Sequence, residues 1–323
     1  MVVVKRILVT GAAGYIGSNL CVHLADSNFD VIAVDRNSQT LSCLPDNIKK
    51  FACDICSDSI NDAMTWFGQV DACIHLAAET SVPESVVHPV KYHYNNVYGS
   101  LNTIKSCLKH GVGQFIFSSS AAVYGDRISG ACKESDPVNP MNPYGKSKAI
   151  VESILDDVMI GGGIRVCSLR YFNVAGNDQL QRVQDLQWKN KTNLFPACMK
   201  AIKQITGPLT VYGKDYSTVD GTALRDYIHV TDLVEAHRLC LQGNLVGVFN
   251  IGTGTPMTVE QIIDEFRKQG NDLSYQVSSK RNGDPCCIFS DPTRFYIATG
   301  WRAKRSISEM VSSYCDMIGR IYG

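Results

Sequence analysis

The sequence has no excess of charge of either sign and no long hydrophobic run. Lysine plus arginine (31) balance aspartate plus glutamate (31), and no basic run is longer than Lys49-Lys50. A chain without net charge is a poor candidate for electrostatic binding to nucleic acid. No uninterrupted apolar stretch approaches the roughly 18 residues that span a bilayer. We therefore expect neither nucleic acid nor a membrane as a partner.

Signals for secretion, disulfides and metal ions are also missing. Residues 1–4 are apolar and precede Lys5 and Arg6, the reverse of the order in a secretory signal. The thirteen cysteines are odd in number and scattered, which favours reduced thiols in a cytoplasmic protein. Cys53 and Cys56 have the spacing of half a zinc site, but no second pair completes it and no HExxH motif occurs. We expect no metal.

Strand-like and helix-like segments alternate through the first half of the chain. Short apolar runs predict strands, helical periodicity predicts helices between them, and such βαβ units predict a parallel sheet covered on both faces. The predicted strands are 2–10, 31–35, 70–76, 114–120 and 164–170, and the predicted helices are 15–27, 90–110 and 144–159.

A glycine-rich turn connects the first strand to the first helix. Gly11, Gly14 and Gly17 have GxxGxxG spacing, which allows a tight turn and lets the backbone approach a pyrophosphate at the helix N-terminus. Asp35 lies 18 residues after Gly17, at the end of the second strand, where a carboxylate can accept hydrogen bonds from ribose hydroxyls. The fold class is therefore α/β, a doubly wound parallel sheet of the Rossmann type. The acid favours NAD over NADP.

The pattern changes after Asn173. The segment 176–193 is polar and without clear periodicity, and we expect it to close over a ligand. Shorter elements follow, with helices predicted near 195–205 and 259–268. We predict a dinucleotide-binding domain over 1–175, to which the chain returns around 226–250. A smaller C-terminal α/β substrate-binding domain is predicted over 176–323.

A tyrosine and a lysine lie one turn apart on the helix predicted at 144–159. Asn142 is suited to cap this helix and Pro143 to its first position. Tyr144 and Lys148 are then on one face, where an ammonium and a positive nicotinamide ring would lower the pKa of a phenol that is ordinarily near 10. Ser120 ends the strand 114–120, at the sheet edge where ligands of such folds bind.

These residues together resemble a known superfamily. Ser120, Tyr144 and Lys148 with the glycine turn resemble the extended short-chain dehydrogenase/reductases. The segments 116–125 (IFSSSAAVYG), 170–173 (RYFN) and 211–230 (VYGKDYSTVDGTALRDYIHV) look like the UDP-glucose 4-epimerase family, as does the GWRA sequence at 300–303. The resemblance implies an NAD-dependent isomerase of galactose metabolism. It would invert C4 of UDP-glucose or UDP-galactose reversibly through a 4-keto intermediate. It also suggests a homodimer formed through helices 90–110 and 144–159.

The resemblance further implies a set of binding residues. The NAD site would comprise Gly11, Gly14, Tyr15, Ile16, Gly17, Asp35, Asp54, Ile55, Leu76, Ala77, Ala78, Thr80, Asn96, Ser120, Tyr144, Lys148 and Phe172. The UDP-sugar site would comprise Ser120, Tyr144, Asn173, Asn193, Leu194, Val211, Tyr212, Arg225, Tyr227, Arg281, Asp284 and Ile288. Arginines suit a diphosphate because they bind it bidentately, and Asp284 suits ribose hydroxyls.

The sequence departs from the family at three places. Thr80 stands where many of these epimerases carry a lysine, which predicts weaker cofactor binding. The loop 177–191 lacks the usual His, Gly and Pro residues. Ile288 stands where the family has a tyrosine, which excludes N-acetyl groups, or a small residue, which admits them.

Three other functions compete with this interpretation. An epimerase of UDP-N-acetylhexosamines or UDP-pentoses stays open, because the sequence does not fix the preferred sugar. A non-catalytic NAD-sensing protein is disfavoured by the intact Ser120, Tyr144 and Lys148. A nucleotide-sugar 4,6-dehydratase needs acidic residues after the serine-rich strand, where this chain has Ala121 and Ala122.

Overall fold

The computed structural model describes residues 5–126, 130–183, 188, 193–281 and 284–322. The strands are β1 (Arg6–Thr10), β2 (Asp30–Asp35), β3 (Lys49–Ala52), β4 (Ala72–His75), β5 (Gln114–Ser120), β6 (Arg165–Tyr171), β7 (Asn173–Ala175), β8 (Leu209–Tyr212), β9 (Leu224–His229), β10 (Gly247–Ile251), β11 (Pro256–Thr258), β12 (Tyr275–Ser278) and β13 (Cys287–Ile288). The α-helices are α1 (Tyr15–Asp26), α2 (Ser38–Ser42), α3 (Ser59–Phe67), α4 (Val82–Val87), α5 (Pro89–Tyr92), α6 (Gly99–Lys109), α7 (Pro143–Ile160), α8 (Leu194–Ile202), α9 (Val230–Gly243), α10 (Val259–Lys268), α11 (Thr293–Thr299) and α12 (Ile307–Tyr322). In this part of the chain no helix has both the length and the apolar character that crossing a membrane requires.

The chain divides into two compact units. The first comprises Met1–Val123, Asn142–Arg170 and Val234–Phe249. Its described residues contain a seven-stranded sheet in the order β10-β6-β5-β4-β1-β2-β3, with parallel pairing between β1 and its neighbours β2 and β4. This is the strand order of a doubly wound Rossmann sheet, so the predicted fold class is confirmed. Because the strands are parallel, the carboxyl ends of β1, β2, β4 and β5 meet at one edge.

The apolar strand residues of this unit are buried against helices. The core contains Leu8 and Ile32 from the sheet, Met64 from α3, and Phe115 and Leu155 from β5 and α7. Strands that are covered on both faces need the continuous apolar runs that the sequence shows. This packing fixes the sheet edge from which the candidate site is built.

The helical segment predicted over 90–110 is present at 89–109, with a π-helical stretch inside it. Helix α5 passes into a π-helical segment, His93–Tyr98, before α6 begins at Gly99. The buried Asn96 in this segment donates to the carbonyl of Glu79 (3.0 Å) and to Ser147 Oγ (3.0 Å). These side-chain anchors accompany the wider turn, and such turns occur frequently at functional sites.

The second unit comprises Tyr124–Met141, Tyr171–Leu233 and Asn250–Gly323. Strand β9 pairs antiparallel with β11 and parallel with β7 and β13, while β8 pairs parallel with β12. Phe195 of α8 makes edge-on ring contacts with Phe266 of α10 and Tyr314 of α12, with centroids 5.3 and 5.8 Å apart. These contacts place an aromatic core between the helices and β9.

The two helices predicted in this region are present, α8 with shorter bounds and α10 with the predicted ones. Helix α10 begins with a capping box between Thr258 and Gln261, which explains why its start can be read from sequence. Of the polar segment 176–193, residues 184–187 and 189–192 lie outside the described residues. Its closure over a ligand stays a prediction.

Candidate active site

The turn after β1 requires glycine at two of its three glycine positions. Gly11 has a φ of +70°, and a Cβ there would lie 2.7 Å from the amide nitrogen of Ala77. A Cβ on Gly17 would lie 2.1 Å from the carbonyl oxygen of Gly11. Both distances are below contact distance, so the backbone of the turn and the start of α1 approach each other only because these side chains are absent.

Helix α1 begins at this turn without a side-chain cap. Gly14 is its N-cap residue and has no side chain with which to cap the first turn. The amides of the first turn therefore face the tight glycine cradle together with the positive end of the helix dipole. This arrangement fits the pyrophosphate of a dinucleotide, as the spacing of Gly11, Gly14 and Gly17 predicts.

The Asp35 carboxylate is fixed beside this turn. Its Oδ2 accepts from the amide of Ala13 (3.0 Å) and its Oδ1 from the amide of Asn37 (2.9 Å). Each oxygen keeps a second lone pair for a ribose hydroxyl. The neighbouring Arg36 is paired with Glu79 at 2.5 Å, and this contact raises the pKa of Arg36. Because its charge is already compensated, Arg36 does not argue for a 2′-phosphate.

The loop that follows β4 is held by Asn96. The amide of Glu79 donates to Asn96 Oδ1 (2.8 Å), and both protons of Asn96 Nδ2 are used by the two acceptors given above. Asn96, which the resemblance assigns to the NAD site, thus supports the loop and has no side-chain donor left for a ligand. In this loop Leu76, Ala77 and Ala78 are partly buried and Thr80 is exposed.

The remaining predicted cofactor residues are dispersed. Asp54 is exposed just after β3, and its Oδ1 accepts from the amide of Cys56 (2.9 Å). Ile55 is buried and packs closely against α6: a Cβ added to Gly99 would lie only 2.6 Å from Ile55 Cδ1. Phe172 is buried between β6 and β7, in the second unit.

The structure brings the three predicted catalytic residues together. The Asn142 side chain caps α7 by accepting from the amide of Gly145 (2.8 Å). One turn apart on this helix, Tyr144 hydrogen-bonds the Ser120 side chain, and Lys148 Nζ donates to the carbonyl of Ser118 (2.7 Å). Lys148 Nζ also lies 5.9 Å from the centre of the Tyr144 ring.

Burial dominates the electrostatics of this cluster. Burial raises the pKa of Tyr144, and the hydrogen bond from Ser120 only partly opposes this. Burial also lowers the pKa of Lys148 to about 7, against the attraction of Glu152. Without a cofactor, the low-dielectric surroundings disfavour the phenolate more strongly than the neighbours stabilise it. The lowering of the pKa by Lys148 together with a bound nicotinamide ring stays a prediction.

Two charged residues at this cluster are not among the predicted site residues. Glu152 lies one turn beyond Lys148 on α7, and Arg170 lies near the end of β6; both are buried. Arg170 Nε and Nη2 donate to the two carboxylate oxygens of Glu152 at 3.0 and 2.6 Å. Glu152 lies eight residues after Tyr144, so its position on the same face of α7 could have been recognised from the sequence. Its partner Arg170 lies on another element, and no sequence pattern indicates that pairing.

A buried histidine supports the same edge. His75 ends β4, with Nδ1 2.8 Å from Thr10 Oγ1 and Nε2 2.8 Å from Ser100 Oγ. Burial, followed by the charge of Lys148, lowers the pKa of His75 to about 3. The ring is therefore neutral, and it ties β1, β4 and α6 together beside the loop that carries Ala77.

The predicted UDP-sugar residues of the second unit form smaller groups. Around β9, Arg225 Nη2 donates to Asp284 Oδ1 (2.6 Å) and to the carbonyl of Pro285 (2.7 Å). Its Nη1 donates to the carbonyls of Leu224 (2.9 Å) and Cys286 (3.3 Å). Four of its five N–H bonds thus have protein acceptors. Arg225 can make the predicted bidentate contact with a diphosphate only by giving up some of these hydrogen bonds to protein acceptors.

A second group lies at the pair of strands β8 and β12. The guanidinium of Arg281 stacks over the Tyr212 ring at 3.7 Å, and Arg281 makes no ion pair with the residues described. Val211 and Tyr227 belong to the core, and burial raises the pKa of Tyr227. Of the two arginines, Arg281 is therefore the one that no carboxylate of the described residues engages.

The other predicted sugar-site residues are positioned by backbone pairing and helix starts. Asn173 of β7 is paired in register with Tyr227, and Ile288 of β13 with Arg225. Ile288 is 7% exposed, so its side chain is packed into the protein. Asn193 is exposed at the N-terminus of α8 and makes no side-chain cap there, and Leu194 is the first helical residue.

Comparison with known proteins gives a consistent result over nearly the whole chain. The model of the NAD dependent epimerase/dehydratase family matches residues 7–252. A UDP-glucose 4-epimerase from Bacillus subtilis is 35% identical over 318 residues, which cover 94% of each chain. Two solved structures cover 98% of this chain. A UDP-glucose 4-epimerase from Stenotrophomonas maltophila with NAD and formylated UDP-arabinopyranose has a TM-score of 0.93 at 30% identity and 99% coverage of its own chain. The other, from Bifidobacterium longum with NAD+ and UDP, has a TM-score of 0.92 at 32% identity and 98% coverage.

Proposed function

The chain belongs to the NAD-dependent epimerase/dehydratase family, and from that premise we propose that it interconverts UDP-glucose and UDP-galactose. It is an NAD-dependent enzyme that inverts C4 of a UDP-sugar. The observation that carries the proposal is the contact of Tyr144 with Ser120, with Lys148 one turn away, in the unit that holds the glycine cradle. A phenol, a hydroxyl and an ammonium are the groups that removal of a proton from a sugar hydroxyl needs.

We propose the following roles for these side chains. The phenolate of Tyr144 takes the proton from the 4-hydroxyl, and Ser120 donates a hydrogen bond to the reacting oxygen. Bound NAD+ would accept the C4 hydride, return it to the other face, and place a positive ring near the phenol. Tyr144 then returns its proton to the oxygen of the rotated 4-keto sugar. Lys148 uses one N–H bond on Ser118, which leaves two for the ribose hydroxyls of the cofactor.

We propose a division of labour between the two parts of the chain. Residues of 1–175 hold NAD, with the glycine cradle for the pyrophosphate and Asp35 for the adenosine ribose. Residues of 176–323 hold UDP, with Arg281 as the first diphosphate ligand, because its guanidinium stacks on Tyr212 and is engaged by no carboxylate within the described part of the chain. Contacts to the remote UDP would let the sugar turn without leaving the enzyme.

A panel of UDP-sugars tests the function directly. Purified protein is incubated with UDP-galactose, UDP-N-acetylgalactosamine and a UDP-pentose, and inversion at C4 is followed by NMR. Conversion of UDP-galactose to UDP-glucose is expected. Denatured samples should also release NAD, whereas release of mainly NADP would contradict the role of Asp35. Absence of any C4 inversion would leave the NAD-sensing interpretation in place.

The choice of sugar is proposed to depend on Ile288. Isoleucine is smaller than tyrosine, so we expect good turnover of the UDP-hexose pair and weak turnover of the N-acetylated pair. Ile288→Tyr should abolish the weak activity and spare the main one, while Ile288→Gly should raise the weak activity. Excess volume in a packed site costs about 1–3 kcal/mol, which corresponds to changes of about 5- to 150-fold in relative kcat/KM.

The matched control for this prediction is Ile297→Tyr, because Ile297 is 77% exposed on α11 and its replacement adds the same volume. It should leave both activities unchanged. Equal activity on both sugar pairs in the wild type and in Ile288→Tyr would remove residue 288 from sugar selection.

We propose that the protein is a homodimer. Large apolar side chains are exposed along α5, the π-helical segment and α6, namely Val90 (80%), Tyr94 (58%), Tyr98 (47%), Leu101 (41%) and Leu108 (41%). A stripe of this kind on successive turns is a typical interaction surface. Light scattering should give twice the 35.5 kDa chain mass, and Leu101→Lys should shift it toward the monomer. A monomeric wild type would refute the proposal.

We also propose a cytoplasmic enzyme of galactose metabolism. All thirteen cysteines are free thiols, and eight of them are buried. Free thiols in this number are typical of a reducing compartment. The UDP-glucose and UDP-galactose pair links galactose to glucose metabolism.

A further inference from the structure

Three consecutive serines at the end of β5 each bind a different residue of α7. Ser120 hydrogen-bonds Tyr144, the carbonyl of Ser118 accepts from Lys148, and the hydroxyl of Ser119 donates to Glu152. The three partners on α7 are spaced by four residues and so lie on one face of the helix. The first two are the proposed catalytic residues. The third contact has no role in the reaction as described above.

Glu152 is a buried anion with a complete set of donors. Its side chain is 7% exposed, and it is bound by Ser119 and by two N–H groups of Arg170, whose side chain is 5% exposed. A bidentate arginine fixes the position of a carboxylate by two parallel hydrogen bonds. The sheet and α7 are thereby joined by a charged pair directly behind the catalytic residues.

The charge of Glu152 acts on Lys148. Among the described residues, the charged and titratable groups that face Lys148 are Tyr144 and Glu152 on α7 and His75 on β4, while Arg170 on β6 is paired with Glu152. His75 is neutral, and Arg170 points its guanidinium at Glu152. Glu152 is thus the anion that opposes the loss of the Lys148 proton, which burial favours.

We propose that Glu152, fixed by Arg170 and Ser119, is a positioning residue that keeps Lys148 protonated and aligned on β5 during catalysis. This inference rests on the proposed function, since it assigns Lys148 a part in the reaction. It predicts that the carboxylate sets the upper pH limit of activity. A purely structural pair would affect stability but leave that limit unchanged.

The test measures kcat and KM for UDP-galactose against pH in Glu152→Gln. With the carboxylate gone and Arg170 left positive, Lys148 loses its proton at lower pH. The alkaline limb of kcat should therefore move down by about one pH unit, so that kcat above the limb falls about tenfold. KM should change less than about twofold, and Glu152→Asp should restore part of the limb.

A second readout does not depend on turnover. The ultraviolet absorbance of the Tyr144 phenolate is measured against pH in the absence of UDP-sugar. The absorbance of the matching variant with Tyr144→Phe is subtracted, so that the difference reports Tyr144. Weaker protonation of Lys148 in Glu152→Gln should shift this titration to higher pH. Because this measurement needs no reaction, it separates failure of the inference from failure of the proposed function, which would already appear as inactive wild-type enzyme.

The controls address folding and nonspecific charge effects. Asp156→Asn removes the same charge from an exposed position one turn further along α7 and should leave the alkaline limb in place. The double variant Glu152→Gln with Arg170→Met removes both buried charges and should show a smaller shift in the same direction. The proposal would be overturned if folded Glu152→Gln kept the wild-type alkaline limb of kcat, or if Asp156→Asn shifted that limb equally. It would also be overturned if neither Glu152→Gln nor the double variant folded.

Discussion

Tyr144→Phe is expected to lower kcat for UDP-galactose by about 10²–10⁴-fold, the usual contribution of general acid–base catalysis. The substitution removes the proton-accepting oxygen and keeps the ring. The hydroxyl is bound to Ser120, so its loss should cost no more than about 0.5–1.5 kcal/mol of unfolding free energy. Steady-state kinetics and thermal unfolding of the same preparation measure the two effects separately.

Tyr296→Phe provides the matched control, because it removes a phenolic oxygen from a ring that is 40% exposed and stacked by Arg302. Its kcat should equal that of the wild type. The NAD content of Tyr144→Phe should also stay at the wild-type level, since the residue is proposed to act on the sugar hydroxyl. If Tyr144→Phe kept near-normal kcat, another group would have to be the base and the proposed mechanism would be wrong.

The parts of the fold that follow from local pattern were predictable from the sequence. β5 and α10 have the predicted bounds, because one contains the apolar run Phe115-Ile116-Phe117 followed by serines and the other starts at a capping box. Strand β3 was not predicted, since it lies at the edge of the sheet and contains two lysines, Lys49 and Lys50, so that it has no apolar run. The π-helical segment was not predicted, because the contacts of Asn96 that accompany it are made with residues distant in the sequence.

The candidate site shows the same limit. Spacing along one helix placed Tyr144 and Lys148 together, and the same spacing includes Glu152. It does not reveal burial, which raises the pKa of Tyr144 in the absence of a cofactor. Backbone acceptors are equally invisible in a sequence. The carbonyls of Pro285 and Cys286 that engage Arg225 could not be inferred from residue types.

Gly17→Ala is expected to abolish cofactor retention. The new methyl group would lie 2.1 Å from the Gly11 carbonyl oxygen and 2.8 Å from the Cα of Ala12, both of them backbone atoms. The turn must therefore move away from the N-terminus of α1. Charge-assisted hydrogen bonds are worth about 1.5–3 kcal/mol each, so loss of two at the pyrophosphate weakens NAD binding by at least about 100-fold. NAD released from denatured protein and the Kd for added NAD+ measure the effect.

Alanine substitutions at two other glycines serve as comparisons for Gly17→Ala. Gly14→Ala brings a methyl group to 3.2 Å from the same carbonyl oxygen at a φ of −76°, so a shift of a few tenths of an ångström suffices and NAD binding should weaken less. Gly319→Ala in α12 meets nothing within 4 Å and should raise stability by about 0.5–1 kcal/mol without changing NAD content. Wild-type NAD content in Gly17→Ala would show that the approach of α1 to the turn is not what binds the pyrophosphate.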